Sequence, residues 1–550
     1  MLRSIVPLVC SSSAALAATL LASTSYAAET EQGIAPEVAP TVNQTAVGPL
    51  NVREYRVAGA KHLTPAEIGE AVYPFLGPGR TLEHIEGARA AVEALYKEKG
   101  FQTVNVEIPD QDARRGIIVL KVNENKIGRL RVKGSRYFSL AEIKRRAPSL
   151  AEGTVPNFNA ITADVLALNT WPDRKVTPSL HNPGVEPGTV DIDLEVKDTL
   201  PLHGSVELNN RYSPDTTELR LNASLSYTNL WQAGHTLGFN FQIAPERVDD
   251  ALVYSAYYSA RFPQVPWLNL VLQATKQDSN VSTLGGAAVA GRGSIIGARA
   301  VITLPPLPNF YHTLTFGYDY KSFEENTLFG LVTSQAPIDY DPFSIAYSAT
   351  WASEKGEARK LGHITELNAG LTFHLRGLGA DEQEFDLKRF GASGSFFYLR
   401  GDLAHTQDLP GGMELYALIQ GQASGQPLVN SEQFSGGGLG SARGYLESQV
   451  LGDNALLGTL ELRSPSLLGW WKGSDSEWRV YAFFDAGVLT LNDPLPEQVS
   501  RFELASYGVG SNLRLLGHLN GSLDAGIPLI SQGTTLAHDV LLTFRVWAEF

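Results

Sequence analysis

The sequence predicts a mostly β protein: a sixteen-stranded antiparallel transmembrane β-barrel preceded by two small α+β domains. Three observations support this prediction. From about residue 203 onward, apolar residues recur at every second position, as in strands with one apolar and one polar face. Between residues 51 and 200 a motif repeats 75 positions apart. Charged residues make up only 19% of the chain, below the ~25% of ordinary soluble domains.

The overall composition excludes several classes of protein. The chain has 550 residues, with 44 Lys plus Arg, 58 Asp plus Glu and a formal net charge of -14, which argues against a basic surface for nucleic acid. Beyond the N-terminus the sequence contains no run of about 18 apolar residues, so we expect no transmembrane helix. A β-barrel remains compatible with this composition, because its strands need only alternate apolar and polar residues.

Residues 1–28 are typical of a secretory signal peptide. Arg3 precedes an apolar stretch at 5–21, and small residues allow cleavage after Ala27 or Ala28. A membrane anchor is the alternative, although serines interrupt the stretch. The only cysteine, Cys10, lies in this segment. We therefore expect the mature chain to contain no disulfide, zinc–thiolate site or cysteine nucleophile.

An internal repeat follows a proline-interrupted linker at residues 29–50. Residues 56–59, Arg-Val-Ala-Gly, recur at 131–134 as Arg-Val-Lys-Gly, 75 positions later. Thr64 and Ser139 each stand three residues before a Glu, which is the capping-box spacing at the start of a helix. Each copy then reads as strand, helix, helix, strand, strand.

Each copy is predicted to form a small sheet covered by helices on one face. We place the two domains at 51–125 and 126–200, and the barrel at 201–550. A sheet of this kind leaves an edge strand, in the first copy at 103–108, that an extended chain joins by main-chain hydrogen bonds. A compact spacer without binding function is the alternative.

The C-terminal region contains sixteen segments of alternating apolar and polar residues. They start near residues 203, 217, 235, 251, 266, 292, 312, 343, 362, 392, 412, 454, 477, 502, 517 and 538. A β-sheet in a bilayer must close into a barrel, because an unpaired backbone group in hydrocarbon costs several kcal/mol. A soluble β-sandwich or propeller is the alternative, since alternation alone does not distinguish lipid from a protein core.

Aromatic residues mark the predicted membrane interfaces and the end of the barrel. Seven of the eight tryptophans lie in this region, as interfacial belts require: Trp231, Trp267, Trp351, Trp470, Trp471, Trp478 and Trp547. At the C-terminus Phe544, Val546 and Phe550 fall on one alternating face. This ending resembles the signal by which bacterial outer-membrane barrels are recognised for insertion.

The connection 424–453, between the eleventh and twelfth strands, is unusually long and rich in glycine. It lacks a Gly-Lys-Ser/Thr sequence and a strand-to-helix context, so we exclude a phosphate-binding loop. We expect the loop to fold back into the barrel and to place Arg443, Gly444 and Tyr445 against the inner wall. There Arg443 requires a carboxylate partner.

The sequence offers this carboxylate two strands later, in the run Phe-Phe-Asp-Ala-Gly at 483–487. Asp485 alternates with apolar neighbours, so the strand period points it into the lumen. We predict a bidentate contact between Arg443 and Asp485 that locks the loop tip, within a motif that includes Phe483. Because Gly444 and Gly487 have no side chain, they would allow the backbone of the loop tip to lie close to the backbone of the strand. An ordinary solvated loop arginine is the alternative.

Together these motifs resemble one family. The tandem repeat is similar to two POTRA (polypeptide-transport-associated) domains. The Arg-Gly-Tyr loop, the Phe-x-Asp-x-Gly strand and the barrel resemble the two-partner secretion transporters (TpsB, haemolysin secretion/activation type, ShlB/FhaC/HecB) of the BamA/TamA superfamily. The chain departs from the family in having Ala442 where a valine is usual. Residues 29–50 also look too short and too polar for the family's N-terminal plug helix, which argues against gating by such a helix; the sequence leaves open whether a plug exists.

The resemblance implies an outer-membrane pore that translocates an unfolded exoprotein, haemolysin-like or adhesin-like, from the periplasm to the cell surface. The exoprotein would join the sheet edge at Thr103, Val104, Asn105 and Val106. The other expected partners are outer-membrane lipid and, during biogenesis, the barrel-assembly machinery.

We expect no enzymatic activity, because the chain has neither a Gly-x-Ser-x-Gly nor a His-Glu-x-x-His motif. We also expect no cofactor, no metal ion and no nucleic-acid partner. Two alternative functions remain open from the sequence: an insertase that assembles other barrels, and a passive porin.

Overall fold

The structure, a computed structural model, describes residues 50–181, 186, 188–278, 281–282, 289–290, 292–324, 326–329, 332–335, 337–353, 361–469 and 476–550. The predicted signal peptide and nearly all of the predicted linker lie outside the described residues. The described chain forms two compact units, divided in sequence between Pro201 and Leu202. No helix among the described residues has both the length and the apolarity needed to cross a membrane.

The first unit contains both sequence repeats, and each repeat has a three-stranded sheet and two α-helices. The elements of the first repeat are β1 (Leu50–Val52), β2 (Glu54–Ala58), α1 (Pro65–Val72), β3 (Gly77–Arg80), α2 (Leu82–Glu98), β4 (Asn105–Glu107) and β5 (Ile117–Asn123). Strand β5 is central, parallel to β2 and antiparallel to β4. The small ladder of β1 and β3 is not predicted by the sequence pattern. Val92, Tyr96, Ile118 and Leu120 belong to the buried core.

The second repeat has the same topology. Its elements are β6 (Lys126–Lys133), α3 (Leu140–Arg145), α4 (Phe158–Leu168), β7 (Arg174–His181) and β8 (Thr189–Asp198), with β8 parallel to β6 and antiparallel to β7. The shared topology explains the repeated glycine. Gly59 and Gly134 have φ of +89° and +84°, and a Cβ at either position would overlap a carbonyl oxygen of the central strand, that of Val122 or Val196.

Both predicted helix starts are present, but they are capped differently. In α1 the Thr64 side chain accepts from the Glu67 N–H, and Glu67 in turn accepts from the Thr64 N–H at 2.9 Å, a complete capping box. At α3 Ser139 accepts from the Glu142 N–H, while the Glu142 carboxylate is bound by Arg146 at 2.6 Å. The sequence spacing therefore predicts both helix starts but only one of the two reciprocal caps.

The second unit is a closed antiparallel barrel of sixteen strands. Each strand pairs with its sequence neighbours, and the last strand pairs with the first. The strands are β9 (Leu202–Asn209), β10 (Arg220–Leu230), β11 (His235–Ile243), β12 (Leu252–Phe262), β13 (Val265–Asp278), β14 (Gly293–Thr303), β15 (Phe310–Phe323), β16 (Phe343–Ser353), β17 (His363–Phe373), β18 (Phe397–Asp408), β19 (Glu414–Ser424), β20 (Asn454–Arg463), β21 (Glu477–Thr490), β22 (Arg501–Leu515), β23 (Leu519–Pro528) and β24 (Leu541–Glu549). The predicted fold class is confirmed, and every strand begins within five residues of its predicted start.

The outer face of the barrel carries the predicted apolar alternation. Leu225, Phe239, Leu272 and Phe484 are 47–57% exposed, whereas their neighbours in each strand point into the lumen. A β-sandwich would pack this apolar face against a second sheet. The closed barrel excludes that alternative.

The tryptophans divide between the two faces of the barrel. Two of them lie on the outer face and are 52% and 40% exposed, as an interfacial belt requires: Trp351 and Trp478. Trp267, near the start of β13, is 52% exposed. Trp547 lies on the inner face, where the Arg545 guanidinium sits 4.8 Å from its ring centroid. The belt prediction is therefore wrong for Trp547. Residues 470–471 lie outside the described part of the chain.

The connections differ in length between the two rims of the barrel. At the rim where the chain enters β9, connections such as 231–234 and 263–264 are short. At the opposite rim, the connection 374–396 contains α5 (Glu382–Lys388), and the connection 425–453 is longer still. Short turns at one rim and long loops at the other are typical of bacterial outer-membrane barrels.

Candidate functional site

The connection 425–453 leaves β19 and packs inside the barrel. Its two arms pair with each other at Phe434–Gly436 and Val450–Gly452. The side chains at its tip are enclosed, because Arg443 is 9% exposed and Tyr445 is 1% exposed. The loop therefore occupies part of the lumen, and we term it the returning loop.

Arg443 contacts the barrel wall through two carboxylates. Its guanidinium makes two parallel hydrogen bonds to Asp485, from Nε to Oδ2 and from Nη2 to Oδ1, both at 2.9 Å. Its backbone N–H donates to Asp485 Oδ2 at 3.0 Å, and Nη1 donates to Glu461 Oε2 at 2.7 Å. A bidentate contact of this kind fixes the orientation as well as the position of the guanidinium. The Asp485 contact is the one that the sequence predicts, whereas Glu461 is an additional partner.

Aromatic rings enclose this ion pair on the inner face of β21. The guanidinium carbon of Arg443 lies 3.6 Å from the centroid of the Phe483 ring and 5.9 Å from that of Tyr481. The Tyr481 hydroxyl donates to Asp524 Oδ1 at 2.7 Å, and Asp524 lies 3.9 Å from Arg443 Nη1. One guanidinium thus faces three carboxylates in a sheltered, aromatic-lined site. Removal of the guanidinium would leave the buried carboxylate of Asp485 without a cation.

Gly444 and Tyr445 hold the tip against the neighbouring strands. Gly444 has φ of +90°, and a Cβ placed on Gly526 of β23 would lie 2.5 Å from the Gly444 nitrogen. The Tyr445 hydroxyl donates to the Ile530 carbonyl at 2.8 Å and accepts from the Ala505 N–H at 3.2 Å. Two glycine backbones therefore touch where the tip meets the wall.

The close approach that the sequence assigns to Gly487 is made by Gly526 instead. A Cβ on Gly487 would overlap the Leu457 side chain of the adjacent strand rather than the returning loop. That part of the prediction is corrected, because the sequence does not reveal which strand the tip reaches.

The arms of the returning loop are anchored at the outer rim by a buried carboxylate that the sequence analysis does not identify. Asp453 is fully buried. It accepts from Arg389 Nη1 and Nη2 at 2.6 and 2.7 Å, and from the Asn492 N–H at 2.7 Å. Since Arg389 belongs to the connection 374–396 and Asn492 to the connection 491–500, one carboxylate joins three connections.

Glu432 provides a second anchor. It is 1% exposed, and it accepts from the hydroxyls of Tyr340 at 2.6 Å and Tyr398 at 2.8 Å, as well as from Lys321 Nζ at 2.5 Å. A sequence signal for this residue exists, because Glu432 is the only charged residue between positions 425 and 441. A lone charge in an otherwise uncharged buried segment requires a partner.

In the first unit, the residues predicted to bind the exoprotein lie at the sheet edge formed by β4. Thr103, Val104 and Val106 are 8%, 3% and 2% exposed, and the strand is shorter than the predicted 103–108. Asn105 is exposed. The edge therefore offers its backbone and the Asn105 side chain, while the other three side chains pack into the core.

A polar cavity of about 1030 Å³ lies beside this edge, between the two repeats, with Asn105, Lys61 and Glu124 in its lining. Glu124 accepts from the Lys61 N–H and from the Tyr96 hydroxyl, both at 2.7 Å. Burial raises the pKa of Glu124, but the hydrogen bonds from Lys61, Tyr96 and His62 together lower it by more, so its pKa lies below the ordinary value. Glu124 is therefore a fixed negative charge beside the edge strand.

The predicted insertion residues lie beside the junction of the first and last strands. Val546 of β24 is 50% exposed and Phe550 is 66% exposed, with Phe544 on the same face as Val546. The backbone N–H of Phe550 donates to the Gly204 carbonyl at 3.0 Å. Recognition of these residues by the assembly machinery stays a prediction.

Comparison with known families identifies two domains. Residues 50–125 match the family model "POTRA domain, ShlB-type", and residues 357–513 match "Haemolysin secretion/activation protein ShlB/FhaC/HecB". The second match includes the returning loop, Arg443 and Asp485.

Individual proteins agree with these family matches. The outer membrane transporter CdiB of Dickeya dadantii is 22% identical over 69% of this chain and 66% of its own length. CdiB of Escherichia coli O6:K15:H31 is 23% identical over 93% of this chain and 84% of its own length.

Solved structures share the fold. The structure of CdiB from Escherichia coli superposes with a TM-score of 0.60 at 21% identity, covering 93% of both chains. That of BamA from Haemophilus ducreyi lacking POTRA domains 1–3 superposes with a TM-score of 0.55 at 15% identity, covering 91% of this chain and 100% of that one.

Barrel, returning loop, POTRA domain and family models all agree on transport rather than enzymatic chemistry. The barrel lies in the outer membrane and the POTRA region in the periplasm. The chain thus combines a ShlB-type POTRA domain at residues 50–125 with a region at 357–513 that matches the haemolysin secretion/activation (ShlB/FhaC/HecB) proteins.

Proposed function

We propose that this transporter moves an unfolded partner exoprotein, haemolysin-like or adhesin-like, from the periplasm through its barrel to the cell surface. The observation that carries the proposal is the returning loop, whose tip is tied to the inner wall by Arg443 and Asp485. A sixteen-stranded barrel is wide enough for an aqueous lumen. Because the tip is held by a small set of side-chain contacts, it is able to leave its place without any barrel strand unfolding.

The proposal includes reception of the exoprotein at the edge strand β4. An extended segment would add to the exposed edge through main-chain hydrogen bonds, which demand little of its sequence. The burial of Thr103, Val104 and Val106 supports recognition of backbone rather than of side chains. The Asn105 side chain would contact those side chains of the added segment that point to its own face of the sheet, which are every second residue.

Transport in this proposal makes and breaks no covalent bond and uses no cofactor. Direction comes from the exoprotein itself, which folds after it emerges. Native folds are stabilised by about 5–15 kcal/mol, so return of a folded exoprotein would require its unfolding.

The test is secretion by variants of the tip contact. We expect Arg443→Ala or Asp485→Ala to abolish surface delivery of the partner exoprotein, while the barrel remains inserted. Arg501→Ala is a matched control, because Arg501 is 61% exposed and pairs with Glu503 at the outer rim. Undiminished secretion by correctly inserted Arg443 and Asp485 variants would contradict the role of the contact.

The structural similarity to BamA favours a second candidate function, insertion of other barrels into the membrane. Deletion of the gene followed by proteomics of the outer membrane separates the two functions. Loss of one secreted protein would support the transporter, whereas loss of many outer-membrane proteins would support the insertase. A passive porin would instead retain its conductance after removal of the POTRA unit, with no exoprotein lost.

A further inference from the structure

The inner surface of the barrel is chemically divided. On β10–β14 the lumen-facing positions carry mainly hydroxyl and amide side chains, and we term this surface the neutral wall. Ser224, Asn240, Ser255 and Thr275 are representative. These groups bond to one another across strands, as in the hydrogen bond between Thr275 and Ser255 at 3.1 Å. The hydroxyl and amide side chains of the neutral wall therefore form hydrogen bonds with one another, and they need no ion pairs.

The charges of the neutral wall are few and are placed at its margins or neutralised. In the described residues of these strands, Arg220 and Arg261 lie near strand ends. Arg299 of β14 is paired with Asp319 of β15 at 2.8 Å. The middle of the wall consequently presents no uncompensated charge to the lumen.

Strands β17–β24 form the charged wall. Its lumen-facing side includes Glu461, Arg463, Asp485 and Asp524, which are 1–7% exposed. Arg463 Nε donates to Glu461 Oε1 at 2.6 Å. The charged wall thus contains buried acidic and basic groups that pair with one another and with Arg443.

Most of the wall contacts of the returning loop lie on the charged side, although Glu432 also binds Lys321 of β15, which belongs to neither wall. Besides the contacts of Arg443, Gln420 Nε2 of β19 donates to the Gly440 carbonyl at 2.7 Å, and Arg400 Nη2 of β18 donates to the Glu432 carbonyl at 3.2 Å. The loop therefore covers the charged wall at these points. The neutral wall lies across the lumen from the strands that hold the tip.

We propose that the neutral wall is the surface along which the unfolded exoprotein travels, an inference that rests on the proposed secretion function. A fixed charge in a sheltered lumen attracts oppositely charged segments strongly and repels like-charged ones, because the effective dielectric constant is low. A hydroxyl or amide group exchanges its hydrogen bond with water at a small net change in free energy, because each protein hydrogen bond that breaks is replaced by one to water. A chain of mixed sequence would therefore slide past such a wall without being trapped.

Site-directed cross-linking tests the inference on the full-length transporter. The chain has one cysteine, Cys10 in the predicted signal peptide, so a single introduced cysteine is the only thiol of the mature protein. The probe is the N-terminal part of the partner exoprotein, carrying cysteines and fused to a disulfide-closed domain that stalls it in the barrel.

Matched positions compare the two walls. Asn240 is the sixth residue of β11 and Asn368 the sixth residue of β17, and both strands start at the same rim. Ser226 of β10 and Asn512 of β22 form a second pair near that rim. We expect Asn240→Cys and Ser226→Cys to form disulfides with the stalled probe several-fold more often than Asn368→Cys and Asn512→Cys.

The outcomes separate the inference from the function on which it rests. Equal adducts on both walls, or more adducts on the charged wall, would overturn the inference while leaving secretion intact. Failure of the unfused exoprotein to reach the surface in the presence of the unaltered transporter would overturn the proposed function itself.

A second measurement does not depend on cross-linking. Asn240→Asp places a charge on the neutral wall without a change of shape, and Asn368→Asp does the same beside the existing Asp402. We expect a several-fold slower secretion for Asn240→Asp and a smaller effect for Asn368→Asp. Equal rates in correctly inserted variants would contradict the inference.

Discussion

The neutral wall and the charged wall of the barrel have the same strand pattern but satisfy their polar groups in different ways. Hydroxyls and amides of the neutral wall bond to their cross-strand neighbours, as in the pair Gln242 and Asn222 at 3.0 Å. The charged wall pairs acids with bases and shares them with the returning loop through Arg443. Alternation of apolar and polar residues is therefore enough to build the barrel, whereas the kind of polar residue decides which side holds the loop.

The largest expected effect is on the loop tip in Arg443→Ala. This change leaves Asp485 buried without its cation, whereas Glu461 keeps Arg463, and breaking a buried pair costs about 3–5 kcal/mol. We expect the returning loop to leave its position, so that an external protease cleaves it in intact cells and the single-channel current increases.

The matched control for Arg443 lies on the other wall. Arg299→Ala breaks the ion pair with Asp319, whose two side chains are 18% and 14% exposed, but it removes no contact of the returning loop. Loop cleavage should therefore stay at the level of the unaltered chain. Equal cleavage in both variants would remove the distinction between the two walls.

A somewhat smaller effect is expected from Asp453→Asn at the outer rim. This variant keeps the shape of the side chain but removes the charge that holds Arg389, and hydrogen bonds to charged groups contribute about 1.5–3 kcal/mol. The arms of the loop should loosen while the tip stays bound through Arg443. Faster amide exchange at 428–433, with unchanged protection around residue 443, would sharpen the comparison of tip and arms.

Gly526→Ala tests the backbone contact at the tip. The new Cβ would lie 2.5 Å from the Gly444 nitrogen, and overpacking of this kind typically costs about 1–3 kcal/mol. We expect weaker tip binding and reduced secretion. Gly521→Ala on the same strand is the control, because its nearest neighbour atom is 3.8 Å away. Equal tip binding and equal secretion in the two variants would contradict the close contact between the backbones of Gly526 and Gly444.

The smallest effect is expected for an exposed ion pair outside the barrel. Lys99 and the N–H and hydroxyl of Thr64 lower the pKa of Glu67 to about 2. A carboxyl whose pKa is lowered in the folded state stabilises it above the unfolded pKa of ~4.3, and the contribution disappears as the pH falls through the folded value.

Hydrogen exchange of the full chain measures this contribution. Glu67→Gln should slightly accelerate exchange of the first amides of α1 at pH 7, and the difference from the unaltered chain should shrink as the pH falls from about 4 to 2. An effect as large as that of Arg443→Ala would contradict the premise that burial makes the tip contact strong.

Much of the fold follows directly from local patterns in the sequence. The period of two residues places the sixteen strands, because each strand must separate lipid from lumen at every residue. The repeated Gly59 and Gly134 mark the same backbone approach in both repeats. The same local reasoning places Trp547 incorrectly, because it assigns tryptophans to the membrane interface by residue type alone. Val546 points to the outer face, so its neighbour Trp547 points into the lumen.

The candidate site follows from the sequence only in part. The Arg443 and Asp485 pair is accessible to sequence reasoning, because an arginine in an in-folded loop requires a carboxylate on an inward position. Glu461, Gly526 and Asp453 are not, because their roles depend on which strands and connections meet across the lumen. Those neighbours lie up to 83 residues apart in the chain, as with Arg443 and Gly526.

By itself, the sequence determined that this chain builds an apolar-outside, polar-inside cylinder after two related small domains, since strand period and repeat spacing are local properties. Only the tertiary structure decided that the returning loop rests mainly on the charged wall and leaves the neutral wall on the opposite side of the lumen. Barrel closure brings distant strands to one side, and buried charges are stable only where an opposite charge arrives at hydrogen-bond distance.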